Sequence, residues 1–503
     1  MSSTTRMPGA HRQTVLGIDL GTSSVKAVVT DAAGQVLSVA SAEYPVVAAQ
    51  PGWAESAPED WWEAVGSAVR QSVAQAGTKP VAIGLSGQMH GVVLTGGGGE
   101  VLRPALLWAD GRASAHLRAY RRLGPAALRR LANPLSPGMA GPLVLWVAEH
   151  EKTIYDRARW ALQPKDWLRL KLSGQAFAEP SDASATLLYD LPGDCWDAST
   201  IDRLGLRAEL FAPLLPSGLV LAGELTAPGA THLGLSSGTP IAAGAADTAA
   251  AMLGSGLVRQ GELQLTIGTG AQLVTPRALP DATPGTGTHL YRSAFSPGLS
   301  AGWYAMAATV NAGLALNWAR KILNASWDEL YATAERAPEP SAPLFLPHLV
   351  GERTPYLDPT MRGAWTGLGL DHERRDLLYA ALEGVAFAVR DAFDALPGAQ
   401  GAGHLRLGGG GSAGAAWRQM LADVIELPLH EVAVPAASAR GAALMGAAAV
   451  EMVSADDIGG PLAPKATPVA EPTSRASELF RDRRGEFHRV IKALQRRGKG
   501  APS

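Results

Sequence analysis

One cysteine in 503 residues is the scarcest feature of this chain. Cys195 has no partner for an intrachain disulfide, and a zinc cluster built on several thiolates is excluded. An excess of one charge is also missing, with 44 basic residues against 46 acidic ones and a formal net charge of −2. So balanced a chain has no global field to recruit nucleic acid or an anionic membrane, and neither is expected as a partner. No uninterrupted apolar run approaches the ~20 residues that span a bilayer. The Ala-rich stretches 239–258 and 441–453 are interrupted by Asp247 and Glu451. The opening MSSTTRMPGAHRQ lacks the apolar centre of a secretory signal, so residues 1–13 read as a loose leader and a cytoplasmic protein is expected.

Material for large cores is present. The chain is 47% hydrophobic and too long for one ordinary core, which predicts two domains of about 250 residues each. After the leader, VLGIDL (15–20) reads as a buried strand ending in the turn GTSS (21–24). VKAVVTD (25–31) and VLSVASAEY (36–44) complete an antiparallel meander. A helix follows, with capping-box spacing at Ser56 and Glu59 and a stripe of Trp62, Val65, Val69 and Val73. Strand VAIGLSG (81–87) then marks the pattern as α/β.

The pattern restarts in the second half. PIAAGAAD (240–247) reads as a strand followed by a small-residue helix, and ELQLTIGTGAQLVTP (262–276) as strand, Gly-Thr turn, strand. Laying GIDLGTS over QLTIGTG aligns Gly21-Thr22 with Gly268-Thr269, a weak repeat that suggests two like domains facing a cleft. Residues 376–396 form an amphipathic helix with Leu378, Leu382, Val385, Val389 and Phe393 on one stripe. HLRL (404–407), GGGGSAG (408–414) and AWRQMLADVI (416–425) read as strand, glycine loop and helix. The basic segment 475–497 reads as a solvated helix packed on the body, with an anion-binding tail as the alternative.

Several motifs carry both a chemical and a structural meaning. Glycine and small hydroxyl residues in a tight turn expose consecutive N–H groups that can cradle phosphate, although strand–Gly-Thr–strand alone is also a plain hairpin. Asp19, beside the first turn, could hold Mg²⁺ through water, and the matching position in the second half is Thr266. GGGGSAG contains G-x-G-x-x-G at Gly409, Gly411 and Gly414, compatible with nucleotide contact, dinucleotide binding or a simple turn. GLSSG (234–238) has nucleophile-elbow spacing but lacks the strand–helix context, which argues against a serine hydrolase. Asp247, among alanines and glycines, is either a helix cap or a general base for a substrate hydroxyl. Met89 and His90 end a strand where open α/β sheets keep ligands, and Asp110 and Arg112 form a second polar pair of the same ambiguity. Trp53, Trp61 and Trp62 read as packing.

Taken together, GIDLGTSSVKAVV (17–29), GLSGQMHG (84–91), LRPALLWADGR (102–112), PKDWLRLKLSG (164–174), AGAADTAA (243–250), LTIGTG (265–270) and GGGGSAGAAWRQMLADV (408–424) resemble the FGGY family of carbohydrate kinases. Within it, QMHG is closest to the D-xylulose kinases. The resemblance runs over roughly residues 14–450. It implies an α/β fold of two ribonuclease-H-like domains, as in actin and hexokinase, facing a central cleft that takes ATP and sugar. The implied divisions are a sugar-binding N-terminal domain carrying the catalytic base (14–258), an adenosine-binding C-terminal domain (259–453) and a tail with a basic helix (454–503).

By the same resemblance Asp247 is the catalytic base, and Met89, His90, Asp247 and Thr248 bind the sugar. Asp19 is the Mg²⁺-associated residue. Gly21, Thr22 and Ser23 form one phosphate turn and Thr269 and Gly270 the other. Gly313, Asn317, Gly409, Gly410 and Gly411 contact the nucleotide. The implied reaction is ATP-dependent phosphorylation of a ketopentose, D-xylulose to D-xylulose 5-phosphate, with ATP and Mg²⁺ as cofactors and a homodimer as the expected assembly. Two positions depart from the pattern. Thr248 stands where these kinases usually have asparagine, and Gly414 where the adenosine loop often has a polar residue.

Overall fold

VLGIDL becomes the strand Thr14–Leu20, buried on both faces in a computed structural model that describes residues 13–280, 287–295, 302–335 and 341–499. The expected leader lies outside the described residues except for Gln13. The meander forms as read. Thr14–Leu20 pairs antiparallel with Ser24–Asp31, which pairs antiparallel with Val36–Glu43. On its other side Thr14–Leu20 runs parallel to Ala82–Gly87, with Asp19 opposite Ser86. Ala82–Gly87 is parallel in turn to Pro240–Ala242 and Ala245–Ala246, and Leu221–Glu224 closes the edge. The strand expected over 240–247 is thus split at Ala243-Gly244, where Gly244 has φ +79° and a Cβ would lie 2.3 Å from the Leu85 carbonyl oxygen.

Helix Pro58–Ala76 covers one face of this sheet with Trp61, Val65 and Val69, against Leu16, Ile18 and Leu20. The Ser56–Glu59 capping box does not form. Pro58 opens the helix behind Ala57, and Ser56 Oγ instead accepts from Trp61 Nε1 at 2.8 Å and donates to the Pro45 carbonyl at 3.0 Å. Proline at the first helical position supplies the correct φ without a side-chain cap. Trp62 stacks on His232 and Trp53 packs edge-on to Trp146, so the three tryptophans pack as expected.

The opposite face is covered by backbone rather than side chains. Strand residues alternate faces, so Gly17 and Asp19 point away from Leu16 and Ile18. Helix Ala437–Ala449 lies there so closely that a Cβ on Gly17 would sit 1.9 Å from the Ala439 carbonyl oxygen, and one on Gly84 1.7 Å from that of Ala442. Helix Asp247–Ser255 packs beside it, with Gly254 and Gly441 each facing the other helix's backbone. The two Ala-rich stretches are therefore buried partners. This contact also explains how the chain divides: one unit holds the residues to Val258 together with Tyr291–Gly302 and Val434–Ala463, and the other holds Arg259–Leu290, Trp303–Ala433 and Pro464–Ser503.

The second unit repeats the topology. Gln264–Ile267 and Ala271–Arg277 form the Gly-Thr hairpin, and Trp303–Thr309 adds antiparallel. Leu405–Gly408 runs parallel to Gln264–Ile267, Leu429–Glu431 parallel to that, and Thr467–Ala470 closes antiparallel. Thr266 faces Gly408 where Asp19 faces Ser86, so the sequence overlay is also a structural one. Helix Arg374–Ala395 buries Leu378, Leu382, Val385, Val389 and Phe393 as predicted. The basic tail is the helix Ser474–Lys499. Phe480, Phe487 and Ile491 enter the core, Arg483 pairs with buried Glu383, and Arg484 and His488 meet Asp391. No described helix is long and apolar enough to cross a membrane.

Candidate active site

In the first unit the chemistry gathers at the C-terminal ends of parallel strands, where the chain leaves the sheet and side chains become accessible. Asp19 lies one residue from the end of the first strand, Ser86 lies beside it on the next, and Ala245–Ala246 pairs with Ser86 and Gly87 before leading into Asp247. Ser86 Oγ donates to Asp19 Oδ1 at 3.0 Å. Asp247 is the first residue of helix Asp247–Ser255, whose cap is Ala246, so its carboxylate is not consumed in capping. Thr248 Oγ1 donates to Asp247 Oδ1 at 3.1 Å, which commits the hydroxyl's one proton to the carboxylate.

Burial pushes the Asp247 carboxyl up to about 7, and the nearby charge of Asp19 adds to the rise against the Thr248 hydrogen bonds. Burial likewise raises Asp19, against the Ser86 hydrogen bond and the charge of Lys26. A desolvated carboxylate at Asp19, whose charge also raises the buried Asp247, is a hard oxygen donor that suits a hydrated divalent cation. The residues present therefore fit Mg²⁺.

Beside them Met89 is buried and His90 holds φ +74°. His90 Nδ1 lies 2.9 Å from the Ala185 carbonyl, which can only accept, so Nδ1 carries the proton. The turn at Gly21–Ser23 is clamped from three sides. Its Gly21 carbonyl accepts from Tyr44 Oη at 2.6 Å and Gln88 Nε2 at 3.1 Å, and Trp108 Nε1 donates to Thr22 Oγ1 at 3.0 Å.

The second unit contains a cavity of about 980 Å³ floored by glycine. Thr269, Gly313, Asn317, Gly410 and Gly411 line it, with Trp327 and Tyr331 on the wall, their rings stacked at 5.7 Å. Helix Gly313–Ile322 starts directly on the hairpin: the Gly313 and Leu314 N–H groups donate to the Gly268 and Thr269 carbonyls at 3.1 and 2.8 Å. A flat, glycine-lined floor with an aromatic wall suits a nucleoside.

A family model described as the N-terminal domain of the FGGY carbohydrate kinases matches residues 14–254, and the corresponding C-terminal model matches 263–450. The chain belongs to the FGGY family of carbohydrate kinases. It is 33% identical to the xylulose kinase of Escherichia coli strain K12 over 416 residues, 81% of this chain and 84% of the relative. The xylulose kinase of Klebsiella pneumoniae is 32% identical over 488 residues, 95% of this chain and 99% of the relative. The crystal structure of a xyloylose kinase from Brucella ovis superposes with a TM-score of 0.87 at 33% identity, over 96% of this chain and 99% of that one.

In this carbohydrate kinase the residues singled out in the sequence fall into two groups. Asp19, the Gly21–Ser23 turn, Met89, His90, Asp247 and Thr248 all belong to the first unit, and Thr269, Gly270, Gly313, Asn317 and Gly409 to Gly411 to the second. Gly270 and Gly409 are not among the residues lining the cavity. A Cβ on either would come within 2.4 Å of a backbone oxygen, of Thr309 and Ile267 respectively, so they shape the kinase's loops from behind. Gly414 does line the cavity, and a Cβ there would meet the Tyr331 ring at 3.0–3.2 Å. Tyr331 thus occupies the space of the missing side chain.

Asp110 and Arg112 are engaged structurally, bonded to each other, with Arg112 at 3.5 Å over the Trp53 ring. Sequence reasoning did not assign Ser86, Gln88, Trp108, Trp327 or Tyr331. Ser86 and Gln88 were discoverable from strand pairing with Asp19 and from the QMHG segment. The aromatic wall sits on a short helix marked only by the Ser326–Glu329 capping box, which says nothing of a ligand.

Proposed function

We propose that this kinase phosphorylates D-xylulose to D-xylulose 5-phosphate, with the first unit holding the sugar and the second the adenosine. The observation that carries the chemistry is the Asp247 carboxyl, held near 7 beside Asp19 and fixed by Thr248. A base poised near neutral pH can take a hydroxyl proton while a substantial share of it stays ionised. The choice of D-xylulose rests on the likeness to xylulose kinases along nearly the whole chain.

Mg·ATP supplies the phosphoryl group and the positive charge that neutralises it in transfer. Asp247 orients the terminal hydroxyl and accepts its proton as that oxygen bonds to the γ-phosphorus and the bond to ADP breaks. His90, with its tautomer set by the Ala185 carbonyl, offers a fixed hydrogen-bonding ring to the polyol, and Met89 an apolar wall. Asp19 would hold the Mg²⁺, the glycine turns the phosphates, and Gly313, Asn317, Gly410 and Gly411 the adenosine. We place the enzyme in the cytoplasm, where ATP and free sugar meet.

The test is ADP release with Mg·ATP against D-xylulose, D-ribulose, L-xylulose, L-ribulose, glycerol and gluconate. Preference for D-xylulose by about tenfold or more in kcat/KM is expected. Preference for another sugar overturns the substrate assignment. Thr248 in place of an amide makes this panel decisive, since its one hydroxyl proton goes to Asp247 and toward a sugar it can only accept.

A further inference from the structure

Beneath Asp247 lies a cluster of five buried ionisable side chains that the reaction does not use. Lys165 Nζ meets Asp166, Glu179 and Asp182 at 2.6, 3.3 and 3.1 Å, and Arg169 meets Asp166 at 2.9 Å. All five side chains are at most 1% exposed. Taking so many charges out of water is costly, and apolar packing would fill the volume at lower cost. What distinguishes the cluster is where its hydrogen bonds end.

Glu179 caps the turn Pro180–Ala183, accepting from the Ser181 and Asp182 N–H groups at 2.8 and 2.9 Å. Its Oε1, the atom that faces Lys165, also accepts from Ser181 Oγ at 2.8 Å. Because Ser181 Oγ spends its only proton there, its lone pairs are left to accept, and it takes the Ala246 N–H at 2.9 Å. Ala246 is the residue immediately before Asp247. Arg169 meanwhile donates to the Ala243 carbonyl at the other end of the same segment. The residue two beyond the capped turn, Ala185, supplies the carbonyl that fixes the His90 ring. The capped turn and the residues just after it therefore brace both the strand end that carries the base and the histidine beside it.

We propose that Ser181 is a positioning residue: its hydroxyl, held by Glu179, which is itself paired with Lys165, sets the Ala246 backbone and through it the Asp247 carboxylate. The inference rests on Asp247 being the base as proposed above. Ser181 touches no reacting atom. It acts by direction, since a displacement of about 1 Å at a reacting group can cost about a hundredfold in rate.

Ser181→Ala in the full-length enzyme, assayed with Mg·ATP and D-xylulose, is expected to lower kcat by about tenfold or more while KM for ATP stays unchanged. Ser181→Thr and Ser181→Val add the same bulk and differ only in the hydroxyl. Any packing defect is common to both, so the threonine variant should turn over about tenfold faster than the valine one. Equal rates for these two, or a Ser181→Ala enzyme within about twofold of wild type in kcat and sugar KM, would overturn the positioning role. Asp247→Asn is measured alongside. If it stays active the base assignment itself is wrong, a result separate from anything the Ser181 series gives.

Discussion

A carboxyl pushed up to about 7 by burial and by the Asp19 charge is only half ionised at neutral pH, which binds the activity of this enzyme to its stability. kcat/KM should rise with pH to a plateau with its midpoint at or below about 7, lower when Mg²⁺ is bound because a cation favours the ionised form. Asp247→Asn should cost about 10²–10⁴-fold in kcat and remove that midpoint from the profile. Stability runs the other way. Between the unfolded value of 3.8 and the folded value of about 7 the native state binds the extra proton, so stability falls as pH rises through that window. Without Mg²⁺ at pH 8, Asp247→Asn should therefore be the more stable protein, by up to about 3 kcal/mol, and denaturant midpoints at pH 4 and pH 8 would show it. Its place among small residues made Asp247 legible in the sequence as a candidate base. Its neighbour in charge was not, because Asp19 is over 200 residues away in the chain and adjacent only through strand pairing.

At the scale of elements, helices lacking large side chains do the closest packing. A methyl added at Gly441 would sit 1.8 Å from the Ala250 carbonyl oxygen, and the partner there is backbone that cannot rotate away. Gly441→Ala should cost about 1–3 kcal/mol, and Gly441→Val more, read as a fall in urea midpoint. The tail helix gives a different prediction. Arg483 is the cation bonded to Glu383, whose buried carboxyl is raised by desolvation and drawn back by that arginine. Arg483→Met should cost about 3–5 kcal/mol, because it leaves a buried acid unpaired, whereas a surface basic residue on the same helix should cost under about 0.5 kcal/mol. Sequence pattern placed the tail helix close to its observed bounds but marked no helix around Gly441. It failed at Ser56, where a capping signature was present but the indole of Trp61 claimed the hydroxyl.

For the whole molecule, the consequence of the fold is that its first unit is not contiguous. Residues 434–463 belong with the N-terminal half because helix Ala437–Ala449 seals the Gly17 and Gly84 face of the sheet. A fragment ending at Val258 lacks that cover and should show no cooperative urea transition by circular dichroism. Joining residues 434–463 to it through a flexible linker should restore one. A fragment that folds without the added segment would show that the glycine-faced sheet does not need its helix.

The sequence by itself determined the elements and the repeat. Strand alternation, Gly-Thr turns, glycine loops and an isolated aspartate among alanines are local patterns, readable wherever backbone sterics and hydrophobic periodicity act over a few residues. The tertiary structure alone decided what those elements do to one another. Parallel pairing put Asp19 in the field of Asp247, a turn at 180–183 was braced against the strand end at Ala246, and Tyr331 took the space beside Gly414. Desolvation and charge coupling depend on distance in space, and strand pairing and side-chain packing bring together residues that are far apart along the chain.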